Sequence, residues 1–225
     1  MKKIFVGILA FVFLLLIVSC GKNQGSSQGN EEGQQQALQV ISNEYKYKDN
    51  IKIRYPQIEN LKDKNKQTKI NEIIKNNAYG YIESYSGEEI DNYDLDINYK
   101  VTLISNDLLS IQYSGYSYDE GTAHPTDQFY TINLDLKAAE RLSLKSILQI
   151  NKAFINEFKN AKLVSEISED NSFLNNNTDE EWIDILNSSD DDISGAFSYL
   201  TNDAIGISLE VPHAVGDHAE YEISY

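Results

Sequence analysis

The chain has 225 residues, with 35 Asp and Glu against 19 Lys and Arg, for a formal net charge of −16. That balance argues against nucleic acid as a partner and against direct adhesion to anionic lipid, because like charges repel. It suits basic partners or cations, or serves only to keep a surface protein soluble, and the single cysteine, Cys20, excludes an intramolecular disulfide.

The first element is a secretory signal. Met1-Lys2-Lys3 is a positive start, Ile4 to Val18 is almost unbroken apolar sequence, and Ser19-Cys20 closes it. The apolar run is short for a membrane-spanning helix, which needs about 20 such residues. Ile17-Val18-Ser19-Cys20 resembles the lipobox of bacterial lipoproteins. The resemblance implies cleavage after residue 19 and thioether lipidation of Cys20, so that the membrane partner is reached through that anchor. Loss of Lys2 and Lys3 leaves 17 basic against 35 acidic residues, near −18. Residues 20–36 are then lipidated Cys and tether. Lys22 to Gln36 hold no apolar side chain and cannot offset the entropy of ordering. As a Gly-rich coil they reach roughly 20 Å. Gly21 carries no Asp-type retention signal, which points to an outer membrane if the cell has one.

Residues 37–225 are read as one domain. Two strands open it, around Gln39–Lys46 and Ile51–Tyr55, where Pro56 is expected to interrupt. Ile70, Ile73, Ile74, Ala78, Tyr81 and Ile82 follow three-and-four spacing, which predicts a helix from Lys64 to about Tyr85. Tyr93 to Leu103 alternate apolar and polar, Asn106-Asp107 turns, and Leu109, Ile111 and Tyr113 return as a hairpin. A further strand is predicted at Gln128–Leu136. Asn151 is placed to cap a helix carrying Phe154, Ile155, Phe158 and Ala161. Thr178 and Glu181 form a capping box ahead of Trp182, Ile183, Ile185 and Leu186. Ile205–Val211 and Tyr221–Tyr225 alternate as closing strands. The acidic stretches Glu166–Asp170 and Asp190–Asp192 are expected to be solvated loops. The order gives an α+β class: a mainly antiparallel sheet with helices packed on one face.

Reaction centres are scarce in this sequence. No dinucleotide fingerprint, phosphate loop or nucleophile elbow occurs, so no catalytic residue, cofactor or metal ligand is assigned. His213, Asp217 and His218 suit zinc by residue type. Their five-residue His separation fits neither a helical pair nor one face of a strand, so a turn with solvated imidazoles is the alternative. The densest unusual composition is Tyr113 to Tyr130, a loop between strands that mixes aromatics, acids, a His and a Pro. Tyr presents large contact area at small entropic cost, and loops on a rigid sheet commonly carry function. Ligand-binding candidates there are Tyr116, Tyr118, Asp119, Glu120, Gly121, His124 and Asp127; the competing reading is that the tyrosines pack on the sheet while Gly121 and Pro125 shape a turn.

Tyr-Pro-Gln-Ile at 55–58 with Leu61, Lys-Ile-Asn-Glu-Ile-Ile at 69–74, and Gly121-Thr122-Ala123-His124-Pro125 ahead of the strand Tyr130–Leu136 resemble a recurring envelope domain. It forms the extracytoplasmic part of RsiV anti-sigma factors and a non-catalytic region of PdaC-type peptidoglycan deacetylases. Thr122 stands where that family shows a second Gly. The resemblance implies a non-catalytic, lipid-anchored binding protein of the cell envelope, with lysozyme, another basic protein or peptidoglycan fragments as partners. The alternative it leaves is a peptidoglycan-modifying hydrolase or deacetylase-related enzyme.

Overall fold

In a computed structural model of the chain, the residues described are 37–80, 82, 88–167, 171–191 and 195–225. The signal, Cys20 and the tether lie outside them. β1 (Gln39–Tyr47) and β2 (Ile51–Glu59) form an antiparallel hairpin, with Gln39 opposite Glu59. α1 (Lys64–Tyr79) and the single turn α2 (Glu88–Asp91) lead to β3 (Tyr93–Ile104), which runs parallel to β2 beside Ile51–Ile53. β4 (Leu108–Asp119), β5 (Thr126–Asp135) and β6 (Glu140–Leu142) continue as an antiparallel meander, giving one six-stranded sheet in sequence order. Next come α3 (Leu144–Ile147), α4 (Lys152–Lys159), the short strand β7 (Lys162–Leu163), a 3-10 turn at Asn171–Asn175 and α5 (Asp179–Asn187). β8 (Ala196–Leu200), β9 (Ala204–Glu210) and β10 (His218–Ser224) build a second, four-stranded sheet in the order β7-β10-β9-β8.

The α+β class therefore holds, with the strands divided between two sheets and helices over one face of each. Alternation decides the faces. Ile51, Ile53, Leu95, Ile97, Leu109, Ile111, Ile132 and Leu134 point beneath Ile70, Ile74 and Ala78 of α1 and form the first core. Ile207, Leu209, Ala219 and Tyr221 lie beneath Phe154, Phe158, Trp182 and Leu186 in the second. The caps are as the sequence implies. Asn151 Oδ1 accepts from the N–H of Ala153 and Phe154, and Thr178 and Glu181 cap each other reciprocally. α1 starts on Asp63, which accepts from the N–H of Asn65 and Lys66. It ends at Tyr79 rather than near Tyr85, and residues 81 and 83–85 of the expected helix lie outside the described ones.

Pro56 does not interrupt β2. The Ile58 N–H donates to Asn71 Oδ1 at 2.8 Å, and its carbonyl accepts from Asn71 Nδ2 at 3.0 Å. Even-numbered backbone groups of this part of β2 thus point away from β1. Pro56 shares that side, so its missing N–H costs no ladder bond.

The face of the first sheet opposite α1 is polar yet buried, at Ser110, Thr131 and Asn133. These side chains meet the open edge of β8. Thr131 Oγ1 and Asn133 Nδ2 donate to the Ser198 carbonyl at 2.5 and 2.9 Å, and the Leu200 N–H donates to Ser110 Oγ at 2.9 Å. The edge groups of β8 are thereby satisfied without another strand.

Asp190 completes this seam, which corrects its reading as part of a solvated loop; Asp191 is exposed as expected, and Asp192 lies outside the described residues. It is buried, with a φ of 67°. Oδ1 accepts from the Ser198 N–H at 2.6 Å, and Oδ2 from the Leu144 N–H and Ser198 Oγ, each at 2.8 Å. Burial pushes its carboxyl above the ordinary range, although these donors pull the other way.

Candidate ligand-binding cleft

The β4–β5 tip and the β9–β10 connection, about 90 residues apart in sequence, come together at one end of the molecule. Between them opens a cavity of about 740 Å³. Phe129 of β5, Phe197 of β8 and His218 of β10 line it, with Asp127, Glu210 and Asp217 among its polar groups. The phenylalanines arrive by strand alternation: on β5 the residues facing away from α1 are Asp127, Phe129, Thr131 and Asn133.

Asp217 ties the two loops. Its Oδ1 lies 2.7 Å from His213 Nδ1, and its Oδ2 accepts the Asp127 N–H at 2.7 Å. The tight connection depends on positive φ at Gly216 (140°) and Asp217 (66°). With Nδ1 engaged by a carboxylate, His213 keeps Nε2 for a ligand. The His124 ring stacks on His213 across the gap, with centroids 6.2 Å apart.

His218 is not a solvated loop imidazole. It sits in β10 and stacks on Phe129 at 4.7 Å. Its Nε2 lies 3.6 Å from Glu220 Oε1, and its Nδ1 is buried with no hydrogen-bond partner. The trio proposed from residue type is therefore split: His213 and Asp217 pair, and His218 turns into the wall. Among the described residues no group of three His, Cys, Asp or Glu side chains could hold a metal ion.

Of the loop candidates, only Asp127 lines the cavity. His124 flanks it through His213. Tyr116 is an exposed side chain paired across the strands with Asp127. Tyr118 is half-buried, and its hydroxyl donates to the Thr122 carbonyl at 3.3 Å. Asp119 holds the turn through its carbonyl, which accepts from Thr122 Oγ1 at 2.9 Å. Glu120 is exposed, with its N–H on the Asn92 carbonyl at 3.1 Å. Gly121 supplies the turn's φ of 99°, so the turn keeps its shape with Thr122 next to it. Phe129, Phe197 and Glu210 are not among the ligand-binding candidates that the sequence points to. Phe197 had no signal, because Ala196–Leu200 is too short and too mixed for alternation to register.

Phe129 also meets Tyr199 edge to face, with ring centroids 6.4 Å apart. A Cβ on Gly206 would fall 2.0 Å from Tyr199 Cζ, so Gly is required for the ring to lie on β9. The Tyr199 hydroxyl donates to Glu222 Oε1 at 3.2 Å, and burial together with Glu220 and Glu222 pushes that phenol well above its usual range.

The family described as deacetylase PdaC matches residues 41–127, from β1 to Asp127 at the cavity wall. The chain is also similar in structure to a DUF3298 family member from Bacteroides fragilis, with a TM-score of 0.53 and 16% identity over 85% of this chain and 92% of that one. A DUF3298 family protein from Pseudomonas aeruginosa PAO1 aligns with a TM-score of 0.49 and 14% identity over 84% of this chain and 90% of its own. No curated protein matches in sequence. The PdaC-type match ends before β6, so the second sheet and the β9–β10 side of the cleft lie beyond it. The likeness in fold to the Bacteroides protein extends over both sheets.

Proposed function

We propose that this PdaC-type chain is a non-catalytic, lipid-anchored binding protein on the extracytoplasmic side of the cell envelope, and that its cleft takes up a lysozyme-like basic protein or a cell-wall fragment. The observation that carries the reading is the convergence of two loops on one open cavity with Asp127, Glu210 and Asp217 beside an aromatic wall. Carboxylates at a cleft mouth attract cationic surfaces and raise association rates. Aromatic rings supply contact area for a sugar ring or a buried side chain. The lipobox at Cys20 and the polar tether support placement a short leash away from a bilayer.

Calorimetry of the detergent-solubilised mature protein against lysozyme and against muramyl glycan fragments tests it. Saturable binding of one of them at about 0.15 M salt, weakened about tenfold or more by Asp127→Ala, is expected. Absence of saturable binding to both sinks the reading.

The His213–Asp217 pair favours one second reading, a peptidoglycan-modifying hydrolase or deacetylase-related enzyme, since a carboxylate-oriented imidazole is half of an acid–base catalyst. Acetate release from N-acetylated wall glycans, lost in His213→Ala, would establish it in place of the first.

A further inference from the structure

The negative charge of the chain is unevenly distributed. Residues 46–75 hold nine Lys and Arg against four Asp and Glu, whereas residues 76–225 hold seven against 28. The fold turns this into two poles, because α1 covers one face of the first sheet and the second sheet, with the acidic cleft, meets the other.

The basic residues of β1 and β2 are spoken for. Lys46 and Lys52 pair with Glu44, Lys48 with Asp91, and Arg54 with both Glu44 and Asp96. The lysines on and before α1 are different. Lys62, Lys64, Lys66, Lys69 and Lys75 are all exposed, and among the described residues none makes a direct ion pair with a carboxylate, although Lys66 lies near enough to Asp135 to help lower its carboxyl. Lys64 Nζ reaches Gln67 Oε1 at 3.2 Å, and Lys66 Nζ reaches the Lys137 carbonyl, both neutral acceptors. Lys64 and Lys66 stand in the first turn of α1, where beyond the capping Asp63 there is no acid to offset them, and its last turn contains no base.

We propose that the lysine face of α1 docks the domain on the anionic headgroups of the bilayer that holds Cys20, leaving the acidic cleft pointing outward. The proposal rests on the lipid-anchored reading. A tether of about 20 Å keeps α1 within reach of that bilayer. Screening makes the contact local: over a Debye length of about 8–10 Å, headgroups feel the α1 lysines more than carboxylates behind a sheet and a further layer roughly 10 Å thick.

The test uses the mature chain made with Cys20→Ser, so that no lipid contributes, and co-sedimentation with vesicles of phosphatidylcholine alone or with about one-third phosphatidylglycerol. Each lysine near an anionic surface is worth about a fivefold gain in partitioning. Binding to the anionic vesicles alone is expected, with a loss of about tenfold or more in Lys62→Glu/Lys66→Glu and in the milder Lys64→Gln/Lys69→Gln. The charge reversal Lys145→Glu/Lys162→Glu, away from α1, should leave it unchanged. Equal partitioning into both vesicle types, or equal loss in all three variants, overturns the proposal. So does displacement from the vesicles by soluble poly(glycerol phosphate) at matched phosphate, which would make a free polyanion the occupant. The mass of Cys20-containing chain extracted from bacterial membranes tests the anchor separately. A lipidated chain whose Cys20→Ser form ignores anionic vesicles refutes the docking face while sparing the anchor. An unlipidated chain whose Cys20→Ser form binds them refutes the anchor while sparing the docking face.

Discussion

Asp217 accepts the backbone N–H of Asp127 at 2.7 Å across 90 residues of sequence, and this bond joins the stretch matched by the PdaC family model to the second sheet at the mouth of the cleft. The same carboxylate orients His213. One side chain thus joins the two loops of the cleft and holds the His213 ring in place.

Replacing Asp217 with Asn tests that role. Asn tolerates the positive φ of this position, so the backbone is preserved. It offers one acceptor instead of two and loses the charge on both bonds, a destabilisation of about 1–3 kcal/mol. The expected result is faster hydrogen exchange at the Asp127 amide and binding weakened about tenfold, with a small fall in Tm. Unchanged exchange at Asp127 would mean the loops are held by something else.

Asp190 predicts a pH dependence. Its carboxyl in the folded chain lies above the ordinary 3.8, so the folded state holds this proton more tightly than the unfolded chain does. The stability contributed by that proton is complete below the unfolded value and is lost as pH rises through the folded one. When protonated, the group can donate to Ser198 Oγ, now 2.8 Å away. Asp190→Asn removes the titration. The Tm advantage of the native chain over this variant should therefore be larger near pH 4 than at pH 7. A difference independent of pH would show that the carboxyl titrates normally despite its burial.

Much of the fold was legible because local chemistry and packing agree. Alternation from Tyr93 to Tyr113 fixed the hairpin, and Asn151 and Thr178 marked helix starts that the backbone uses. The misread polar residues of the seam have one cause. Asp190, Ser198, Thr131 and Asn133 look like surface residues in sequence, and their burial depends on an edge strand meeting the face of another sheet. No periodicity reports such a contact. The cleft was half legible for the same reason: the unusual composition of Tyr113–Tyr130 drew attention to the tip, but only Asp127 of the named residues reaches the cavity. The walls, Phe129 and Phe197, come together only once both sheets are in place.

Gly206→Ala should destabilise the chain by about 1–3 kcal/mol, because the added methyl meets the Tyr199 ring and neither strand can retreat. For a domain of this size each kcal/mol lowers Tm by about 2–4 °C. Combining it with Tyr199→Leu relieves the overlap, so the double variant should be more stable than the sum of the two single effects. Strict additivity in thermal melts would show that the ring moves aside freely.

The wall and the rim of the cleft should separate under substitution. Phe129 is buried and stacked on His218, whereas His124 is exposed and its ring stacks on His213 of the partner loop. Phe129→Leu keeps most of the volume and removes the flat ring, at a cost in stability below about 1.5 kcal/mol. His124→Ala removes no buried area, so its Tm should stay within about 1 °C of the native chain. If the cleft grips its ligand by stacking, Phe129→Leu weakens binding about tenfold and His124→Ala leaves it nearly unchanged. If a basic surface lies across both loops, the rim contributes as well, and His124→Ala also costs affinity with no loss of Tm. Calorimetry on the two variants beside their melting curves decides between these, and native affinity in both would move the binding surface away from this end of the molecule.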